Sequence, residues 1–238
     1  MTFTPRQPGS TVRRIISLAA VAGFPAVLMI WYRMHQVSTL ASIELIAYPL
    51  LFGGLGIIVI LLLKRFYLRE PLSDFNSGSG NLFTDILWGL ALAIACFALF
   101  FISQMTLRDL LDFRPNAELL GLMLDMRAHP WMLLVWFGPV LWIGIALYEE
   151  LVRAFLLTEL WSFAESKVWI GLSIVLAGTL FGLVHWGQGP YGIVTIAMKS
   201  IVIGAFYLRV RRILPLVLAH VLYDGVQVAA FLLTYPGG

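Results

Sequence analysis

Seven runs of mostly apolar residues, one of them 33 long and six close to 20, divide this chain near 15–32, 43–63, 83–104, 131–163, 168–187, 191–208 and 213–234. At 1.5 Å of rise per residue, a helix of that length crosses the roughly 30 Å hydrocarbon core of a bilayer. The pattern therefore predicts an all-α membrane protein with about seven transmembrane helices, folded as one polytopic domain over residues 1–238. Composition agrees: 60% of the residues are hydrophobic and 12% charged, whereas a soluble domain carries about 25% charged residues. The surplus apolar surface needs lipid to face, so membrane lipid is the first expected partner and nucleic acid is not one.

Between the runs, 64–82 reads as a polar Gly- and Ser-containing connection. The segment 105–130 is amphipathic and charged, and is expected to form an interfacial helix or lid outside the core. The single cysteine, Cys96, rules out an intramolecular disulfide framework and a Cys-rich zinc site. Arg6, Arg13 and Arg14 precede the first run much as in a signal peptide. No clear small-x-small cleavage site precedes the polar turn and the run reaches Trp31 and Tyr32, so a retained first helix is expected.

Cytoplasmic loops retain Lys and Arg. With the N-terminus inside, the inner segments hold Arg6, Arg13, Arg14, Lys64, Arg65, Arg69, Lys167, Arg209, Arg211 and Arg212, and the outer ones only Arg33, Arg108, Arg114 and Arg127. This bias predicts a cytoplasmic N-terminus; the membrane expected is an inner or plasma membrane of prokaryotic type.

Once loop charges are set aside, the ionisable residues near membrane depth are Glu149, Glu150, Arg153, His185, Lys199, His220 and Asp224. Each costs roughly 2.5–3.5 kcal/mol in hydrocarbon even on the lenient insertion scale, so such groups face one another or a wet cavity. The short turn "SFAESK" makes the fourth and fifth runs an antiparallel hairpin. Counting back equally from that turn sets Glu149 opposite His185 and Arg153 opposite Phe181. Phe181 and His185, four apart, share a helix face, as do Glu149 and Arg153, and as do His220 and Asp224, while Glu150 is within i+3 reach of Arg153. Gly178 and Gly182 form a small-xxx-small pair that lets a neighbouring helix approach closely. Lys199 is expected to snorkel or to pair with a neighbouring acid rather than to act in catalysis. His35 and His129 fall in outer connections and are expected to be solvated.

Two histidines with carboxylates are the material of a water-activating centre. A Glu can serve as general base, one His can orient the water, and a second can stabilise an oxyanion. The same atoms, Glu149, His185, His220 and Asp224, could instead hold zinc, although the soluble-zincin HExxH motif is absent. Metal and metal-free chemistry both stay open on spacing alone.

"YEELVR" at 148–153, "FGLVH" at 181–185 and "HVLYD" at 220–224 follow one another on successive polar-bearing helices. In that order they resemble the CAAX-prenyl protease and bacteriocin-processing family of intramembrane proteases, over about residues 146–225. The resemblance implies a catalytic helical core in 131–238, with the active site between the C-terminal four helices, behind N-terminal spans and an interfacial segment in 1–130. It implies an endopeptidase acting on a peptide or protein substrate at the membrane. Glu149 would be the base, His185 the water-positioning group and His220 the oxyanion contact, with Glu150, Arg153, Phe181 and Asp224 in support. Two departures matter. The family's usual EExxxR is EExxR here, which leaves the choice between Glu149 and Glu150 open. Asp224 stands where many members have Asn, and an ionised carboxylate cannot donate a hydrogen bond. Two other classes use the same buried charges: a cation- or proton-coupled transporter, and a non-enzymatic scaffold or immunity protein.

Overall fold

The computed structural model describes residues 9–35, 42–113 and 117–234. Among these residues every regular element is helical, in the order α1 (Gly9–His35), α2 (Glu44–Tyr67), α3 (Leu82–Thr106), α4 (Ala117–Arg127), α5 (Pro130–Trp161), α6 (Lys167–Val184), α7 (Gly189–Val210) and α8 (Ile213–Thr234). Six helices among the described residues are long and apolar enough to cross a bilayer: α2, α3, α5, α6, α7 with the single turn Trp186–Gln188 ahead of it, and α8. The protein is an integral membrane protein. Helix α1 covers the first of the seven runs and is not among the six.

Local chemistry sets the helix ends. Asn81 opens α3 with a capping box: the Thr84 N–H donates to its Oδ1 at 3.0 Å and the Asn81 N–H donates to Thr84 Oγ1 at 2.8 Å. Ser166 accepts from the Trp169 N–H at 3.1 Å and opens α6. Each cap contributes about 1 kcal/mol. Helix α5 is not regular. It kinks at Gly138 (φ −87°, ψ −113°) ahead of Pro139, which lacks an N–H and presses on the carbonyl four residues back. The turns over Trp136–Leu147 are widened to i→i+5 bonding before regular helix resumes at Tyr148. That restart places Glu149, Glu150 and Arg153 in the first turns of a straight segment.

The straight half of α5 is the centre of the bundle, with Leu151 to Leu157 all buried against α1, α2, α6, α7 and α8. Between lipid-embedded helices close contact replaces the hydrophobic effect as the driving force. Gly178 and Gly182 supply it between α6 and α7: a Cβ at Gly178 would lie 2.5 Å from Ile201 Cγ1, and one at Gly182 would lie 2.4 Å from the Ile193 carbonyl oxygen.

Two expectations are corrected here. Arg14 and Lys64, counted among the inner loop charges, are 3% and 1% exposed. They join a buried network in which Arg14 bonds Glu159 and Glu70, while Lys64 donates to Glu159 at 2.8 Å and to Glu70 at 2.5 Å. Burial is tolerated because each charge is paired. The network ties the start of α1 and the end of α2 to the end of α5, so α1 and α2 run antiparallel. The second correction concerns α4, which packs on the bundle instead of standing outside it: Met126 is fully buried with Ile46, Met132 and Trp136 in a second core.

Candidate active site

Four helices bring the polar set together. Glu149, Glu150 and Arg153 come from α5, His185 closes α6, Lys199 lies in α7, and His220 and Asp224 lie in α8.

The two adjacent carboxylates have different surroundings. Glu150 is wholly buried, with one oxygen bonded by Arg153 and the other by His220 Nδ1 at 2.8 Å. Arg153 is held in turn by Ser200, whose Oγ accepts from Nε at 3.2 Å, and by the Phe181 ring, whose centroid is 4.4 Å from the guanidinium carbon. The Arg153–Phe181 contact is the register counted from the hairpin turn. Glu149 points the other way. Its side chain is 24% exposed, among the described residues no hydrogen bond is directed at it, and its nearest charged neighbour is His220 Nε2 at 3.9 Å.

His185 sits where α6 unwinds, with φ −95° and ψ 21°. Its Nδ1 is 2.7 Å from the Phe181 carbonyl oxygen, which can only accept, so Nδ1 carries the proton and Nε2 is left with a lone pair in the neutral ring. His220 faces carboxylates at both nitrogens: Glu150 at Nδ1 and Asp224 Oδ2 at 3.1 Å from Nε2. The i, i+4 spacing of His220 and Asp224 thus produces the contact expected of it. Lys199 pairs loosely with an acid, its Nζ 3.9 Å from Asp224 Oδ1 and 4.4 Å from the centre of the Tyr223 ring.

A cavity of about 900 Å³ is walled by Glu149, Arg153, His185, Lys199, His220 and Asp224, and runs past Gln104 and Phe113 toward the α3–α4 connection. A smaller apolar cavity of about 290 Å³ lies on the other side of Glu149 and His185, lined by Val21, Ala22 and Pro25 of α1 and by Val152, Leu156 and Leu180. Glu149 and His185 border both. The hairpin register brings these two residues to one cavity wall, as counted from sequence.

The remaining candidates are placed as follows. His129 is exposed, just ahead of α5, whereas the His35 side chain lies outside the described residues. Ser200 was missed: a serine beside Lys199 in an apolar helix gives no signal of the guanidinium it meets. Among the described residues no three His, Cys, Asp or Glu groups are arranged to hold a metal.

The chain is a helical membrane protein with a carboxylate–imidazole cluster lining a cavity. Residues 130–226 match the family model described as Rce1-like, type II CAAX prenyl endopeptidase Rce1-like. No curated protein and no solved structure matches the chain. The matched region holds Glu149, Glu150, Arg153, His185, Lys199, Ser200, His220 and Asp224 and contains the region of the resemblance read from the three motifs. The match supports a membrane endopeptidase in general class.

Proposed function

We propose that the protein hydrolyses a peptide bond in a membrane-associated or C-terminally tagged substrate, using water activated by Glu149 and His185. The observation that carries this reading is the contrast between the two carboxylates. Glu150 is consumed by Arg153 and His220, whereas Glu149 faces the cavity with no hydrogen bond directed at it among the described residues. A water between Glu149 and His185 gives one proton to the carboxylate and one hydrogen bond to His185 Nε2, and attacks the carbonyl carbon with its freed lone pair. The Phe181 carbonyl fixes the tautomer that leaves Nε2 able to accept. Arg153, Glu150 and His220 form a chain that anchors the α8 side of the cavity relative to α5.

The apolar cavity beside Glu149 suits a hydrophobic part of the substrate, and the family description names prenyl endopeptidases. Sorting-signal and leader peptides offer the same chemistry, and the first experiment distinguishes them. Peptide termini are compared in membrane fractions of cells carrying the wild-type chain or the Glu149→Ala/Glu150→Ala chain at equal abundance. Termini present only with the wild type establish proteolysis and identify the substrate. Identical termini in a proteome rich in membrane peptides would transfer the weight to the transporter and scaffold readings. Activity lost to a strong chelator and restored by zinc would replace the carboxylate with a metal as activator.

A further inference from the structure

Hydrolysis of an amide places a negative charge on the carbonyl oxygen, and this cavity is already rich in carboxylate. Glu149 and Asp224 line it, and Glu150 lies behind His220. Something must donate to the oxygen. Asp224 can only accept when ionised. His220 directs Nδ1 at Glu150 and Nε2 at Asp224. Arg153 is committed to Glu150, to Ser200 and to the face of Phe181. Of the two Lys/Arg cations lining the cavity among the described residues, Lys199 is the other.

Lys199 differs from Arg153 in having donors to spare. Its closest acid oxygen, on Asp224, is 3.9 Å away, beyond hydrogen-bond distance, and its other contact is the Tyr223 ring, which offers no lone pair. The side chain is 18% exposed and opens onto the same cavity as Glu149 and His185. Held by an aromatic face on one side and by a long-range ion pair on the other, the ammonium is positioned without being saturated.

We propose that Lys199 is a catalytic residue of this protein, donating from Nζ to the oxyanion of the tetrahedral intermediate, with Asp224 holding it in place. This rests on the endopeptidase reading above. In the step, the water oxygen bonds to the carbonyl carbon and its proton passes to Glu149. The C=O π pair moves onto oxygen, which accepts from Lys199. Collapse re-forms the C=O and breaks the C–N bond, and the leaving nitrogen takes the proton from Glu149. One water is consumed and one acid and one amine are formed, with Lys199 an ammonium throughout. Losing a preorganised oxyanion donor costs about 10²–10³-fold in kcat.

The test uses the purified full chain in detergent, a peptide spanning the cleavage site found in the termini comparison, and a phosphinate analogue of that peptide as a tetrahedral mimic. Lys199→Met is expected to lower kcat by about 10²-fold or more with KM within about twofold. Affinity for the phosphinate should fall by the same factor as kcat/KM, which a purely structural role would not produce. Lys199→Arg should retain more activity than Lys199→Met. If Lys199→Met fails to fold because Asp224 loses its ion pair to α7, Lys199→Met/Asp224→Asn removes that charge and supplies an amide donor. Its kcat should then exceed that of Lys199→Met/Asp224→Ala at least tenfold. Lys199→Met within about threefold of wild type, equal loss of substrate and phosphinate affinity, or equal activity in the two double variants would overturn the proposal. A wild-type chain that cleaves nothing removes the endopeptidase reading and this proposal together. A wild type that cleaves, with Lys199→Met unimpaired, removes this proposal alone.

Discussion

Glu150→Gln and Arg153→Met should each damage the fold, whereas Glu149→Gln should leave it standing. Glu150 is 0% exposed and Arg153 2% exposed, and each is the other's ion-pair partner. Removing one partner of a buried pair strands the other charge in low dielectric, at about 3–5 kcal/mol. For a chain of this size 1 kcal/mol corresponds to about 2–4 °C, so the melting midpoint in mild detergent should fall by about 6–20 °C. The double variant Glu150→Gln/Arg153→Met strands no charge and should recover most of that loss. Glu149 has a cavity-facing side chain with no hydrogen bond directed at it among the described residues, and its amide variant should stay within about 0.5 kcal/mol of wild type. Thermal unfolding followed by tryptophan fluorescence measures all four. The assignment of structural and reactive carboxylates is refuted if Glu149→Gln is destabilised as much as Glu150→Gln, or if Glu150→Gln melts with the wild type.

Other outcomes follow from particular contacts. Gly182→Val should separate α6 from α7 and abolish activity along with about 1–3 kcal/mol of stability, because even a Cβ there would lie 2.4 Å from the Ile193 carbonyl oxygen; cross-linking between the two helices reads the displacement. If the charge bias sets orientation, Ala164→Cys in the α5–α6 turn should resist a membrane-impermeant thiol reagent in intact cells, and Met105→Cys at the far end of α3 should react. Both are made in a Cys96→Ser background, and labelling of the opposite pair would reverse the orientation.

The parts of this molecule legible in sequence are those set by period and length. Runs near 20 residues mark the helices because lipid leaves the backbone no other partner. Equal counting from a tight turn works for a straight hairpin, so Arg153 meets Phe181 and Glu149 shares a wall with His185. Period 3.6 likewise sets His220 beside Asp224. What failed depends on tertiary neighbours. Arg14 and Lys64 carry the charge of loop residues, and only the arrival of Glu159 and Glu70 from distant segments makes their burial affordable. The roles of Glu149 and Glu150 could not be separated in one dimension. Adjacent residues on a helix point about 100° apart, and which direction leads to Arg153 and His220 is decided by where α8 packs. The widened turns before Tyr148 were also hidden, although Pro139 announces a break, because a proline does not say how many turns the helix takes to recover.

The central claim is that Glu149 activates the attacking water. The most direct test is kcat of the purified Glu149→Gln chain on its cleavage-site peptide, with folding verified by an unchanged melting midpoint. Loss of a general base predicts a fall of about 10²–10⁴-fold with the fold intact. Turnover within about threefold of wild type in a normally folded Glu149→Gln protein would contradict the account.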